Sequence, residues 1–138
     1  MFQKFHEIQV KTGGQNLYNF TPKIIKWVKS ENLNNGFLNI NILHTSASLI
    51  IQENADPDVM KDMKNFFNKL VPMNENYIHS AEGEDDMPAH IKSALTNSHL
   101  SVSIKDNDLV LGTWQGLYLF EHRKDSHIRK LSLHFVGD

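Results

Sequence analysis

The sequence contains no cysteine, which excludes disulfide bonds, cysteine-ligated zinc and catalysis by a thiol. This is typical of the reducing cytoplasm, where we expect the protein to reside. Neither sign of charge is in excess, because 14 lysine and arginine side chains nearly match 16 aspartate and glutamate side chains. We therefore expect no nucleic-acid or membrane partner. The sequence has no apolar run that could span a bilayer and no signal-peptide pattern at its N-terminus.

Histidine is the residue type in which the sequence is unusually rich. Eight histidines occur among 138 residues, and imidazoles serve both as metal ligands and as proton-transfer groups near neutral pH. The length is that of one domain with a real hydrophobic core. We therefore expect a single domain over residues 1–138, in which the histidines are the first candidates for chemistry.

Short strand patterns alternate with three helical patterns. Thr21–Pro22 and Asp56–Pro57 each place a capping side chain before a proline, which is a common start of a helix. A third, shorter helix is predicted from Pro88 to Asn97, with Asp86 as its cap. Between the helices, alternating apolar and polar residues predict strands, so the pattern indicates a mixed α and β protein.

Two strands near the C-terminus are predicted to form an antiparallel hairpin. If the turn is centred on Asp125, Glu121 lies opposite Arg129 and Leu119 lies opposite Leu131. Both apolar faces then point to the same side. This register predicts an ion pair at the end of an apolar face. An ordinary cross-strand ion pair is the simpler interpretation, and an acid and a cation at the rim of a pocket is the alternative.

The stretch from Tyr77 to Pro88 combines four carboxylates with His79 and has neither helical nor strand periodicity. Carboxylates at this density repel one another, and a bound cation would relieve the repulsion; hard cations prefer oxygen ligands. His90 follows in the first turn of the predicted helix. The helix dipole favours a neutral imidazole there, as a metal ligand or a general base requires. The spacing of the two histidines matches no compact zinc motif.

Two other stretches offer polar side chains. His44 ends a predicted strand and precedes Thr45–Ser48, a small turn whose hydroxyls and backbone N–H groups suit an anion. A histidine in that position is more often a hydrogen-bonded core or edge residue. Farther along, glycines flank Thr113, Trp114 and Gln115. Trp114 is either the plug of a barrel corner or a wall for a flat ring, with its two neighbours as polar contacts.

Three stretches together resemble one protein family. They are His44–Ser48 with Glu53–Pro57, His79 with Glu82–Lys92, and Gly112–Gly116 with Glu121–His122. In this order and spacing they are similar to the YjbQ family, called secondary thiamine-phosphate synthases, from about Phe5 to the C-terminus. The resemblance implies an α+β fold, an antiparallel two-sheet β-sandwich or partial barrel with flanking helices. It also implies a homotrimer with pockets at the subunit boundaries and a weak thiamine-phosphate synthase activity.

That reaction joins hydroxymethylpyrimidine diphosphate to a thiazole phosphate and releases pyrophosphate. We assign catalytic roles to His44, His90 and Glu121. We assign binding of the substrates, which are small phosphorylated metabolites, to Thr45, Ser46, Thr113, Trp114, Gln115 and Arg129. A divalent metal, magnesium or zinc, is expected on His79, Glu82, Asp86 and His90, with Asp85 as a further magnesium ligand and His44 as a further zinc ligand.

Two other functions stay open at the level of the sequence. The protein is alternatively a metal- or metabolite-binding homotrimer whose synthase activity is incidental, or it is a metal-dependent hydrolase. A synthase requires a ring-stacking wall and two phosphate sites in one cavity. A hydrolase requires three histidine or carboxylate ligands around one metal, with an open coordination position.

Overall fold

The computed structural model covers residues 1–138 and contains eight strands and three helices. In chain order the elements are β1 (Phe2–Gly13), β2 (Asn16–Asn19), α1 (Thr21–Ser30), β3 (Gly36–Ile42), β4 (Ala47–Glu53), α2 (Pro57–Leu70), α3 (Asp86–Leu95), β5 (His99–Lys105), β6 (Asp108–Leu109), β7 (Gln115–Glu121) and β8 (Ser126–Gly137). The strands form two antiparallel sheets. The larger sheet has the order β1-β8-β3-β5-β6, and the smaller has the order β2-β7-β4.

The main hydrophobic core lies between the two sheets. It includes Leu38 and Leu131 of the larger sheet and Leu49 and Leu119 of the smaller sheet, all of them fully buried. The sheets curl into half a barrel around this core. This is the antiparallel two-sheet α+β architecture with flanking helices that the family resemblance implied, so that prediction is confirmed.

Six connections pass from one sheet to the other, and the three shortest join β1 to β2, β3 to β4 and β7 to β8. At the first crossing Gly14 adopts a φ of +107°, and a Cβ atom built there would lie 2.8 Å from the carbonyl oxygen of Lys124. Glycine suits this left-handed, closely approached position because it has no Cβ. β1 ends at Gly13, immediately before this position.

The predicted hairpin between the last two strands is wrong. β7 pairs with β2 and β4, whereas β8 pairs with β1 and β3. The apolar faces of β7 and β8 do point to the same core, but they meet across the sandwich, about 10 Å apart, rather than side by side. The alternation of apolar and polar residues specifies only which face of a strand is buried. The pattern that contains Leu119 and Leu131 therefore fits two strands that pair in one sheet and two strands that face each other from different sheets.

α1 closes one side of the core with Ile24, Trp27 and Val28. The helix begins at Thr21, yet the Thr21 side chain does not cap it. Thr21 Oγ1 instead accepts a hydrogen bond from the backbone N–H of Leu117 in β7 at 2.8 Å. The predicted capping role of Thr21 is therefore wrong, and its hydroxyl ties the start of the helix to the smaller sheet.

α2 covers the outer face of the smaller sheet. As predicted, Asp56 caps it by accepting a hydrogen bond from the backbone N–H of Asp58 at 2.9 Å. Met60, Met63 and Phe67 pack against the outward side chains of the sheet. This packing explains why β7 is buried on both faces. No helix of the protein is both long enough and apolar enough to cross a membrane.

α3 begins two residues earlier than the sequence predicted. Asp85 occupies the N-cap position, and Asp86 lies in the first turn, where it is only 2% exposed. Asp86 is therefore not the cap that the sequence indicated. A buried carboxylate needs partners of its own, and Asp86 finds them in His79 of the preceding loop, His90 of the helix and Arg123 after β7.

Candidate metal centre

Four ligand-type side chains converge at the start of α3. One ligand atom from each of His79, Glu82, Asp86 and His90 lies within 4.8 Å of the other three. Asp86 Oδ2 is central, since His79 Nε2 lies 2.6 Å and His90 Nε2 lies 3.1 Å from it. Glu82 Oε2 lies 3.7 Å from His79 Nε2. These are the four residues that the sequence grouped as metal ligands, and we call them the His/carboxylate cluster.

Local spacing accounts for this convergence. Asp86 and His90 are one helical turn apart, so they share a face of α3. His79 and Glu82 come from the irregular loop before the helix. The side chains of Glu82 and His79 are 66% and 46% exposed, whereas that of Asp86 is 2% exposed. The cluster is therefore closed on the Asp86 side and open to solvent on the loop side.

The tautomer of His90 follows from its partners. Its Nδ1 lies 2.9 Å from the carbonyl oxygen of Thr45, an atom that only accepts, so Nδ1 carries the proton. In the neutral ring, Nε2 then presents a lone pair to Asp86 Oδ2. A bound cation or protonation of the ring would remove the resulting repulsion. A histidine whose other nitrogen donates to a carbonyl is the usual arrangement of a metal ligand.

Arg123 holds the acidic loop in place, and sequence reasoning missed it. It donates from Nη1 to Asp86 Oδ1 at 2.5 Å, from Nε to Asp85 Oδ2 at 3.0 Å and from Nη2 to the carbonyl oxygen of Glu82 at 2.9 Å. Burial alone would raise the pKa of Asp86, but hydrogen bonding from His79 and the charge of Arg123 outweigh burial and lower the pKa. Asp86 therefore stays ionised, as a metal ligand must be.

A cavity of about 410 Å³ adjoins the cluster, and His90 belongs to both. Its lining consists of His44, Thr45, Ala47, His90, Ser93, Ala94, Thr96 and Ser98. His44 Nε2 accepts a hydrogen bond from the backbone N–H of Lys130 at 2.8 Å, which puts the proton of the neutral ring on Nδ1. Burial, together with the charge of Arg129, lowers the pKa of His44, so the ring is neutral at pH 7. Three of the predicted site residues, His44, Thr45 and His90, thus line one cavity.

Glu121 and Arg129 form the predicted ion pair, but in the buried interior. Arg129 donates from Nε to Glu121 Oε1 at 2.8 Å and from Nη2 to Oε2 at 2.5 Å. Glu121 also accepts from Thr12 Oγ1 at 2.6 Å, and Arg129 donates to Ser46 Oγ at 3.0 Å. Burial would raise the pKa of Glu121, yet its hydrogen bonds from Arg129 and Thr12 lower it. Glu121, Arg129 and Ser46 are at most 9% exposed, and they contact one another rather than solvent.

The other predicted substrate-binding residues lie at the opposite end of β7. Thr113, Trp114 and Gln115 are exposed, and 63% of Trp114 is accessible. Trp114 is therefore not the plug of a barrel corner. Gln115 and Glu121 are the two ends of β7, about 20 Å apart at the usual strand rise. A single chain therefore does not bring Trp114 to the His/carboxylate cluster.

A second buried polar network, also missed, connects α3 to the smaller sheet. Ser48 Oγ lies 2.8 Å from His122 Nε2 and 2.6 Å from Thr96 Oγ1. Lys92, only 2% exposed, donates to Asn68 Oδ1 of α2. Burial, with the nearby charge of Lys92, lowers the pKa of His122 to about 3. No local pattern predicts these contacts, because each joins segments that are distant in the sequence.

Comparison with known proteins identifies the family to which the chain belongs. The family model described as UPF0047 protein YjbQ-like matches residues 6–138. UPF0047 protein sll1880 from Synechocystis sp. is 48% identical over 139 residues, which cover 99% of this chain and 95% of that protein. UPF0047 protein YjbQ from Escherichia coli is 38% identical over 138 residues, which cover 99% of each.

A solved structure shares the fold. An uncharacterised conserved protein of the YjbQ/UPF0047 family from Clostridium acetobutylicum matches with a TM-score of 0.87 and 32% identity. The match covers 95% of this chain and 99% of that one. The names of these relatives state a family and no activity. On sequence and structure alike, the chain belongs to the UPF0047 family of YjbQ-like proteins.

Proposed function

We propose that the chain is a metal-dependent enzyme that acts on small phosphorylated metabolites and forms thiamine phosphate. The observation that supports this most directly is the convergence of His79, Glu82, Asp86 and His90 beside a polar cavity. The two carboxylates balance the charge of a divalent cation, and the two imidazoles add nitrogen ligands. The reaction that the family resemblance implies expels a diphosphate, and a cation beside such a leaving group lowers the barrier to its departure.

The donor set favours zinc or a similar transition metal over magnesium. Magnesium in proteins is bound by oxygen ligands and water, whereas imidazole suits zinc, copper, iron and nickel. In a tetrahedral zinc site with bonds of about 2.0–2.1 Å, ligand atoms lie roughly 3.3 Å apart. The separations of 2.6, 3.1 and 3.7 Å within the cluster lie on both sides of this value. The residues present therefore fit a zinc-type ion.

The reaction forms one carbon–nitrogen bond and breaks one carbon–oxygen bond. The ring nitrogen of the thiazole phosphate attacks the methylene carbon of the pyrimidine diphosphate, and pyrophosphate leaves with the electron pair of the broken bond. The metal, when bound, supplies charge stabilisation for the departing diphosphate. The task of the protein's own residues is to hold the two substrates in line and to exclude water.

In this proposal the ring-binding wall comes from a second chain. Within one chain Trp114 lies about 20 Å along β7 from the strand end nearest the cluster. In a homotrimer, Trp114 of one subunit stacks on the pyrimidine held at the cluster of its neighbour, and Thr113 and Gln115 bind the polar groups of that ring. Phe5 and Phe37, which are 66% and 49% exposed, add apolar surface for self-association.

A metal-dependent hydrolase is the second candidate, and one observation favours it. Asp86 Oδ2 and the Nε2 atoms of His79 and His90 form a compact set of three, while Glu82 is more exposed. Three protein ligands and one free position are typical of catalytic zinc sites. A hydrolase would release inorganic phosphate from either substrate alone. The synthase would require both substrates and release pyrophosphate.

The test is an assay of both products with purified, zinc-loaded protein. Thiamine phosphate is measured with both substrates present, and inorganic phosphate is measured with each substrate alone. For His90→Ala we expect thiamine-phosphate formation to fall at least about tenfold, because a metal ligand is lost. The matched control is His6→Ala, an exposed histidine of β1 outside the cluster and the cavity. An unchanged rate in His90→Ala would refute a role for the cluster in the reaction.

A further inference from the structure

The cavity beside the cluster has an unusual lining. Four of its eight side chains are hydroxyls, two are imidazoles and two are the methyl groups of alanines. It contains no lysine, arginine, aspartate or glutamate. A ligand in this space is therefore recognised by neutral hydrogen-bond donors, and no carboxylate of the lining repels an anion. Through His90 the ligand also lies next to the cluster.

Two of the donors in the lining, Ser93 Oγ and His44 Nδ1, have no partner within the chain. Ser93 Oγ is buried and makes no hydrogen bond, although buried hydroxyls are almost always paired. His44 uses Nε2 to accept from Lys130 N, so the proton on its Nδ1 is left for another acceptor. Both side chains line the same cavity. The chain thus keeps an O–H and an N–H group without an acceptor of its own.

Two other polar groups of the lining are already occupied. Thr96 Oγ1 bonds to the carbonyl oxygen of Lys92 and to Ser48 Oγ. His90 Nδ1 donates to the carbonyl oxygen of Thr45. These contacts fix the walls of the cavity. The donors that a ligand would meet are therefore Ser93 and His44, together with the exposed hydroxyls of Thr45 and Ser98.

We propose that this cavity binds a phosphate monoester, with Ser93 and His44 donating hydrogen bonds to its phosphate oxygens. The inference rests on the proposed function, in which one substrate is a diphosphate and the other is a monophosphate. The diphosphate needs the cation of the cluster, whereas two neutral donors suit the smaller charge of a monophosphate. A volume of about 410 Å³ also leaves room for the organic part of the ester, since ligand sites run from about 300 to 1,000 Å³.

The experiment is calorimetric titration of zinc-loaded and metal-free protein with two probes, inorganic phosphate and the thiazole phosphate. For Ser93→Ala and His44→Ala we expect binding of both probes to weaken about tenfold, as for one lost hydrogen bond to a charged group. The zinc affinity should be unchanged in Ser93→Ala. The matched control is Ser101→Ala, an exposed serine of β5 outside the cavity, which should bind as the parent does. Thermal melting confirms that each variant is folded.

The outcomes separate the two proposals. Tighter binding of the thiazole phosphate than of inorganic phosphate, with both weakened about tenfold in Ser93→Ala, supports a site for the ester. Binding of inorganic phosphate alone, or equal binding in parent, Ser93→Ala and His44→Ala, overturns it. If the parent takes up no metal but its phosphate binding still depends on Ser93, the metal-dependent function fails and the cavity assignment stands.

Discussion

Arg129 Nε lies 2.8 Å from Glu121 Oε1 in the buried interior, although the two residues belong to strands of different sheets. Backbone hydrogen bonds cannot join two sheets that pack about 10 Å apart, so these long side chains bridge them instead. Glu121 Oε2 also accepts from the backbone N–H of Arg123 at 3.2 Å, and Arg129 donates to the carbonyl oxygen of Ser46 at 3.3 Å. We interpret the pair as a positioning element for the His/carboxylate cluster.

The first prediction concerns the stability of this bridge. Arg129→Met should lower the free energy of unfolding by roughly 3–5 kcal/mol, because it leaves the Glu121 carboxylate buried without its counter-charge. The measurement is urea denaturation at pH 7. Lys4→Met is the control, since the pair that Lys4 forms with Glu31 is 40% and 37% exposed, and its loss should cost less than about 1 kcal/mol. Equal costs in the two variants would contradict the account.

The second prediction concerns Arg123 as a positioning residue. Arg123→Lys keeps the positive charge but loses the planar fork that reaches Asp86, Asp85 and the carbonyl oxygen of Glu82. We expect zinc affinity to fall about 10–100-fold, the usual effect of removing a group that orients a ligand. The affinity is measured by titration against a competing chelator. In the control Lys124→Met, which removes a salt bridge between half-exposed or exposed side chains, zinc should bind nearly as in the parent.

The third prediction is a pH dependence of stability that His122 causes. Its pKa is about 3 in the folded chain, where burial disfavours the charged ring, and about 6.5 in the unfolded chain. The unfolded state therefore binds more protons between these values. The contribution of His122 is fully present above pH 6.5 and declines as pH falls toward 3, by up to about 1.4 kcal/mol per pH unit.

The measurement is urea denaturation of the parent and of His122→Gln at several pH values from 7 to 5. The slope of stability against pH should become shallower in His122→Gln. Ser101→Ala, at an exposed position without a titratable side chain, is the control and should keep the slope of the parent. An identical slope in all three proteins would show that His122 does not titrate as its burial requires.

The fourth prediction tests whether the active site spans two subunits. In the proposed homotrimer His90→Ala would lack a metal ligand and Trp114→Ala would lack the ring wall, so each variant alone should form thiamine phosphate at least about tenfold more slowly than the parent. Mixed trimers of the two chains in equal amounts should recover about a quarter of the parent activity, because one in four boundaries pairs an intact cluster with an intact tryptophan. Trimers that contain only Trp114→Ala chains supply the baseline activity. No recovery in trimers shown by mass spectrometry to be mixed would refute a shared site.

The four members of the cluster could be grouped from the sequence because their spacing is local. His79, Glu82, Asp86 and His90 fall within one loop and the first turns of one helix, so any compact arrangement of that segment keeps them close. Asp86 was also given a capping role, which the start of α3 contradicts. A helix boundary depends on tertiary contacts of the flanking loop, here those of Arg123, and sequence periodicity does not report them.

The partners Glu121 and Arg129 were predicted correctly from a wrong topology. Alternation identified the inward face of each strand, but the same pattern fits two strands that pair and two strands that face each other across a core. Arg123 and Ser93 were not predicted from the sequence. Their roles depend on contacts between distant segments, and neither residue stands in a pattern of its own.

The most direct test of the account is elemental analysis of the purified protein and of Asp86→Asn after zinc loading and dialysis. We expect one equivalent of a zinc-type metal per chain in the parent. We expect a large loss of metal in Asp86→Asn, because the carboxylate at the centre of the cluster is replaced by an uncharged amide. A parent protein without bound metal, or an Asp86→Asn protein with the metal content of the parent, would contradict it.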